Sequence, residues 1–311
     1  MSKPLVSIIS PVYGCQTSLV ELYFRIKENV SLISENFEII LIDDKSPDDS
    51  WNTIIDLNKK DPRVKGIKFS RNFGQHKAIY AGVTKARGEW VVVMDCDLQD
   101  RPEEIINLYQ YATQTQSHVV LGRRVHRRDA LFKRILSKLF YYVLGYLTDT
   151  QQDSTIANFG IYHRKVINAV CAMGDDFRYF PTMVRWVGFK QSTINIKHDE
   201  RIHGKTSYSL GKLLRLGSDV VLAFSEKPLK LTIKLGLSIS GITILIAIYT
   251  LIRYLQGNIH VLGYASLFLS VWFFGGIIIF IIGVIGLYIG KIFEKVKGRP
   301  VFIVEEETVY E

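Results

Sequence analysis

Cysteine is scarce in this 311-residue chain: only Cys15, Cys96 and Cys171 are present, far apart and odd in number. There is no C-x-x-C pair and no Cys/His cluster, which argues against structural zinc and against a disulfide framework. A reducing, cytosol-facing setting fits that usage best. Three signatures are missing as well. Without G-x-x-x-x-G-K-[ST], G-x-G-x-x-G or G-x-S-x-G, P-loop hydrolysis, dinucleotide redox chemistry and a hydrolase nucleophile elbow lose their usual support. The opening Met-Ser-Lys-Pro-Leu-Val carries no signal-peptide pattern.

Charge is missing over two long stretches. Between Lys234 and Arg253 lie 18 uncharged residues, and Tyr254–Gly290 holds none, with His260 neutral. Residues 232–253 and 264–289 are each long enough to cross the ~30 Å hydrocarbon core as helices. Lys227, Lys230 and Lys234 flank the first stretch, and Lys291, Lys295, Lys297 and Arg299 follow the second, while the connector 254–263 has no Lys or Arg. The positive-inside rule then places both termini and the large N-terminal part in the cytoplasm, on the inner or plasma membrane. The expected division is 1–226 soluble, 227–290 membrane and 291–311 a cytoplasmic tail.

The net charge of +9 is local. Residues 1–226 hold 31 basic and 25 acidic side chains, and 123–147 alone hold seven basic against one acidic, so the rest balances. Such a patch is too confined for a nucleic-acid footprint, and no nucleic-acid partner is expected. It feeds the cationic amphipathic stretch 131–147, which with 208–226 suits either the membrane interface or packing on the domain's own core.

The first 120 residues alternate Val/Ile-rich runs with helix-like stretches. Val6–Ser10, Phe37–Ile42, Val64–Phe69, Trp90–Met94 and His118–Leu121 read as strands, and 17–33, 50–60, 74–86 and 102–115 as helices. This alternation predicts an α/β fold with a mostly parallel, doubly wound sheet, whose ligands bind beyond the carboxyl ends of the strands. The tail 300–310 reads as a short strand returning to the soluble part.

The strand ends carry the polar residues. The first ends in Ser10-Pro11-Val12-Tyr13 and the second in Asp43-Asp44-Lys45-Ser46-Pro47-Asp48. The fourth ends in Asp95-Cys96-Asp97-Leu98-Gln99-Asp100 and the fifth in Gly122-Arg123-Arg124-Val125-His126-Arg127-Arg128. Asp95 and Asp97, with Gln99 continuing the spacing, suit a hard divalent cation whose remaining oxygen ligands come from a diphosphate. Turn and capping chemistry accounts for Asp100. Asp43 or Asp44 could accept from a base N–H or a ribose hydroxyl, or serve an ordinary turn. His76 and His203 read as polar surface or supporting residues. Asp175-Asp176 would offer a base only to a hydroxyl acceptor. Trp186 follows Arg185, but Thr182 stands where a processive synthase carries Gln.

Taken in order, Ser10-Pro-Val-Tyr13, Ile42-Asp-Asp-Lys-Ser-Pro-Asp48, Arg71-Asn-Phe-Gly74, Met94-Asp-Cys-Asp-Leu-Gln-Asp100, Gly122-x-Arg124-x-x-Arg127, Arg134-x-x-Ser137 and Arg201-x-x-Gly-Lys-Thr-Ser207-Tyr208 resemble the inverting family-2 glycosyltransferases of GT-A (Rossmann-like) fold. More narrowly, the chain resembles the polyprenyl-phosphate glycosyltransferases, the dolichol-phosphate mannosyltransferases and their two-span bacterial relatives acting on undecaprenyl phosphate. The resemblance implies a GT-A catalytic domain, interfacial amphipathic helices and two C-terminal transmembrane helices. It implies that Pro11, Tyr13, Asp43, Asp44, Asp95 and Lys205 bind the nucleotide, and that Asp95, Asp97 and Gln99 hold Mg²⁺ or Mn²⁺. Arg124, Arg127, Arg134 and Ser137 would receive the acceptor phosphate. Asp97, Arg124, Arg127 and Arg201 would be the catalytic set. The sequence departs from the family at Arg101, where a Pro is usual, and at Thr206-Ser207 after Lys205, where Ser-Lys is usual. The second departure opens the question of which basic residue meets the diphosphate.

The chemistry agrees with this resemblance. A polyprenyl phosphate is already anionic, so the leaving nucleoside diphosphate is what needs stabilising, by a metal and cationic side chains. The implied reaction moves one sugar from a nucleotide-sugar donor, UDP-hexose favoured, to polyprenyl phosphate with inversion; membrane lipid is a partner and a homo-oligomer is open. Two rivals remain: transfer to a hydroxyl of a lipid-linked glycan, and a non-catalytic lipid-binding membrane anchor that keeps the fold.

Overall fold

The structure is a computed structural model describing residues 3–124, 156–174, 179–197, 227–256 and 263–308. The stretches 131–147 and 208–226 therefore lie outside the described residues. Contacts divide the chain into two compact units, one built on the sheet and including the tail strand, the other holding two long helices.

The first unit opens with β1 (Val6–Val12), α1 (Gln16–Ser31), β2 (Phe37–Asp43), α2 (Ser50–Lys60), β3 (Val64–Phe69), α3 (Gln75–Lys85), β4 (Trp90–Val93), α4 (Glu104–Thr115) and β5 (Val119–Arg124). These elements match the sequence expectation to within a few residues. β6 (Ile156–His163), α5 (Arg164–Ala172), α6 (Phe180–Trp186) and β7 (Gln191–Ile196) follow, and β8 (Val304–Glu307) closes the unit. The eight strands are ordered β7-β5-β6-β4-β1-β2-β3-β8. β1 and β2 are buried along their whole length, as parallel strands covered on both faces must be. α1 presents Leu19, Leu22, Tyr23, Ile26 and Val30 to that core at helical spacing.

The sheet is mostly parallel, as expected, with two strands running against the other six. β6 runs antiparallel between β4 and β5, and β8 pairs antiparallel with β3. Two reversals cancel, so β5 runs in the same direction as β4 and ends at the same edge. From the central β1 the chain steps to β2 and β3 on one side and to β4 on the other. That change of direction is the point where open α/β sheets bind ligands. α3 lies tight on this centre, since a Cβ on Gly82 would run into the side chains of Ile9 and Ile42.

The opposite edge of the sheet is locked by a buried polar network. Glu38 Oε1 accepts from Ser7 Oγ and from Arg87 N, both at 2.6 Å, and Glu38 Oε2 accepts from Lys65 Nζ at 2.6 Å. Burial raises the Glu38 pKa, but Lys65, Ser7 and Arg87 N together draw it below the ordinary value. Removing one partner of such a pair strands the other's charge, so Glu38→Ala is expected to cost about 3 kcal/mol in equilibrium unfolding. A midpoint unchanged from the native chain would contradict this role.

The second unit contains α7 (Lys227–Leu255) and α8 (Tyr264–Val296). Phe273–Phe293 within α8 has a mean hydropathy of 2.5 over 21 residues, none of it buried, and is long and apolar enough to cross a membrane. It is the one such stretch among the described residues. α7 covers the first expected span as a helix.

Candidate active site

Parallel pairing of β1 with β2 and β4 brings three strand ends together. The loops after β1 and β2 interlock: Asp44 N donates to Val12 O at 3.0 Å and Gln16 N to Asp48 Oδ2 at 3.0 Å. Pro11 is buried at the end of β1, whereas Tyr13 is 54% exposed at the rim. Asp43 accepts from Ser46 N at 3.0 Å.

Asp44 is buried, and the chain itself engages its carboxylate. Oδ1 accepts from Phe73 N at 2.6 Å and Oδ2 from Gly74 N at 2.8 Å. Burial pushes its pKa up to about 6, the two N–H bonds oppose that shift, and Asp43 adds to it. Asp44 thus ties the loop after β2 to Arg71-Asn-Phe-Gly74, where the exposed Arg71 guanidinium lies over the Phe73 ring at 4.2 Å.

Beyond β4, Asp95, Asp97 and Gln99 are partly accessible and alternate with buried Cys96, Leu98 and Asp100. Left-handed backbone at Leu98 (φ 61°) turns the segment, and Asp97 Oδ1 accepts from Gln99 N at 3.2 Å. Asp95 Oδ1 accepts from Gln75 Nε2 at 2.7 Å. Gln75, the first residue of α3, is a contributor that no motif had marked. Beside it, His76 stacks edge-on with Tyr179 at 4.4 Å; its Nδ1 is covered without a hydrogen-bond partner among the described residues. Burial pulls the His76 pKa down to about 4, so the ring is neutral at pH 7.

Among the described residues no group of three or more His, Cys, Asp or Glu could hold a metal unaided. Asp95 and Asp97 with the Gln99 amide nevertheless fit Mg²⁺ or Mn²⁺, hard ions usually held by one or two carboxylates plus substrate phosphates.

Cys15 and Cys96 are joined, Sγ to Sγ at 1.99 Å. No disulfide framework is expected from the sequence, and this single bridge is the departure from that expectation. The two are distant in sequence, but β1 and β4 are sheet neighbours and deliver them to one spot. Cys171 is free.

Arg124 is the last residue of β5, paired in register with Ile196. Arg127, Arg134, Ser137, Arg201, Lys205, His203 and Asp175-Asp176 lie outside the described residues. Thr182 is buried in α6, and Trp186 at its end is 69% exposed.

Residues 7–171 match the family model described as glycosyl transferase family 2. The chain is 36% identical over 300 residues to the uncharacterized glycosyltransferase YkcC of Bacillus subtilis, covering 96% of this chain and 93% of the relative. It is 32% identical over 307 residues to an undecaprenyl-phosphate 4-deoxy-4-formamido-L-arabinose transferase of Aeromonas hydrophila, covering 97% and 93%. Among solved structures, glucosyl-3-phosphoglycerate synthase from Mycobacterium tuberculosis, in complex with Mn²⁺, UDP and phosphoglyceric acid, is similar with a TM-score of 0.50 at 14% identity, covering 71% and 77%. At that identity the likeness speaks for the GT-A fold alone. Family membership sets aside the non-catalytic anchor: the chain is a glycosyltransferase and belongs to glycosyltransferase family 2, with the polyprenyl-phosphate sugar transferases among its relatives.

Proposed function

We propose that this enzyme transfers one sugar from a nucleotide-sugar donor to undecaprenyl phosphate at the cytoplasmic face of the membrane, with inversion and with help from a divalent cation. The observation that carries the reading is the similarity to an undecaprenyl-phosphate transferase along 97% of the chain. It reaches beyond the sheet unit to the apolar helices, where a soluble acceptor would need no membrane segment. In this reading α7 and α8 both span, with the soluble part and the tail on the cytoplasmic side. Residues 1–226 form the catalytic domain, and 131–147 and 208–226 lie in the membrane interface.

Pro11, Tyr13, Asp43 and Asp44 line the base and ribose, while Asp95, Asp97 and Gln99 face the diphosphate and would hold Mg²⁺ or Mn²⁺. When bound, the cation supplies charge stabilisation for the departing nucleoside diphosphate. Arg201 and Lys205 add positive charge to the same group. Arg124, Arg127, Arg134 and Ser137 hold the acceptor phosphate behind the anomeric carbon, and a phosphate oxygen attacks as the donor's glycosidic bond breaks. The nucleophile carries no proton at neutral pH, so no side chain need act as a strong base. UDP-hexose is the favoured donor.

A screen of nucleotide sugars against purified undecaprenyl phosphate, with and without EDTA, tests the reading by the mass of the lipid product. A sugar–phosphoundecaprenol formed from one donor class and lost with EDTA is expected. No sugar–phosphoundecaprenol from any donor would sink the acceptor assignment.

Asp44 adds a pH signature. Its folded pKa, about 6, stands above that of an unfolded carboxylate. The native state therefore takes up a proton first, and this group's contribution to stability rises as pH falls through about 6. Protonation also removes acceptor capacity facing Phe73 N and Gly74 N. Donor affinity is therefore expected to weaken over the same interval, and Asp44→Asn to flatten the profile. An affinity profile as steep in Asp44→Asn as in the unaltered enzyme would assign the titration elsewhere.

A further inference from the structure

The tail strand β8 docks on β3 at the sheet edge nearest the loops just described. Pairing is regular from Ile67↔Glu307 to Lys68↔Glu306, then Phe69 faces Val304. Glu305 is thus the extra residue of a β-bulge, a device that re-aims one side chain, often beside an active site. Its carboxylate goes to Lys45 Nζ at 2.6 Å and lies 3.7 Å from Lys68 Nζ. Lys45 directly follows Asp44 and holds a left-handed backbone (φ 56°) that a residue with a Cβ seldom adopts.

The tail also braces the second loop. Ser70 N donates to Ile303 O at 3.0 Å, immediately before Arg71-Asn-Phe-Gly74. Phe302 stacks on Phe69 with ring centroids 5.0 Å apart, and Phe69 meets Phe73 edge-on at 5.5 Å. Phe73 N is one of the two donors to Asp44. The tail from Phe302 through β8 therefore supports both sides of the Asp44 clamp. The contacts further down β8 serve docking alone: Lys85 pairs with Glu307 at 2.8 Å, and Thr308 N donates to Gly66 O at 3.0 Å.

We infer that the C-terminal strand is a working part of the donor site, with Glu305 and Phe302 as positioning residues that set the loops after β2 and β3 for the nucleotide. The inference rests on the donor reading proposed above. Glu305 touches no substrate in this role; it acts through Lys45.

The test uses the full-length chain in detergent and calorimetric titration with UDP, GDP and dTDP, each with Mg²⁺, following the tightest binder. Glu305→Ala is expected to raise Kd about fivefold, in line with one well-placed ion pair. The kcat at saturating donor should be unchanged. Lys45→Ala should give a similar rise, and the double variant no more than either single one. Glu307→Ala, which loses a pair of the same kind away from the loops, should leave Kd at the native value. Equal effects from Glu305→Ala and Glu307→Ala would reduce the tail to a docking strand and overturn the proposal. So would unchanged or tighter binding in Glu305→Ala, the latter marking Lys45 as a direct ligand that Glu305 restrains. If the unaltered chain bound none of the three nucleotides, the donor reading itself would fall and carry the tail proposal with it.

Discussion

Asp97→Asn is expected to leave the fold in place and lower sugar transfer by about a thousandfold. The substitution keeps an oxygen for Gln99 N, so the turn after β4 survives. The lost negative charge is what the cation needs, and Asp95 and Asp97 are the carboxylates that the candidate cation position draws on among the described residues. A second variant separates loss of the ligand from loss of its orientation. Gln75→Ala removes the 2.7 Å bond that fixes Asp95 without touching either carboxylate. Outer-shell changes of this kind typically cost about ten- to a hundredfold in metal affinity. Gln75→Ala should therefore need more Mg²⁺ or Mn²⁺ for half-maximal rate and recover at high metal, whereas Asp97→Asn should not recover. Initial rates against metal concentration, together with a thermal melt of each variant, decide the matter. Full turnover by Asp97→Asn, or turnover indifferent to EDTA, would refute the metal assignment.

What the sequence made legible follows from how burial writes itself into local pattern. β1, β2 and β4 sit in the middle of the sheet and are buried along their length, so they read as Val/Ile-rich runs, and the polar residues just beyond them stand out. β7 is an edge strand with mostly half-buried residues, and Gln-Ser-Thr-Ile-Asn-Ile has no such run. The insertion of β6 between β4 and β5 is a long-range pairing that no local pattern records. The same limit applies to the site. Asp95, Asp97 and Gln99 stand out by their spacing, but Gln75 reaches Asp95 from α3, twenty positions earlier in the chain. Asp44 was read as a residue facing ligand, yet Phe73 N and Gly74 N, about thirty positions away in sequence, engage both its oxygens. Cys15 and Cys96 looked unrelated for a similar reason, since 81 residues separate them and a sheet pairing joins them. The tail was expected as a returning strand, but its bulge at Glu305 and the pairing to Lys45 emerge only from the register.

Arg124→Ala is the second change with a large expected effect, and it bears on the acceptor. Two strand reversals leave β5 parallel to β4, so Arg124 ends its strand at the same edge of the sheet as the end of β4, which Asp95 follows two residues later. An arginine there can meet a phosphate with two parallel N–H bonds, which fixes the geometry of attack as well as attracting charge. Truncating one partner of such a pair costs about 2–5 kcal/mol, or roughly thirty- to several-thousandfold in kcat/KM for undecaprenyl phosphate. Arg124→Lys keeps the charge without the fork and should recover only part of the loss. Donor Kd should change far less than kcat/KM in both variants, because the residues proposed to line the base and ribose follow β1 and β2. The rival acceptor, a sugar hydroxyl, makes the opposite demand: it needs a base, for which Asp175 or Asp176 would serve, and it does not need Arg124. Parallel assays of Arg124→Ala, Asp175→Asn and Asp176→Asn on purified undecaprenyl phosphate therefore separate the two reactions. Loss in the first with activity kept in the other two supports the phosphate-holding role of Arg124, and the reverse pattern would overturn that role.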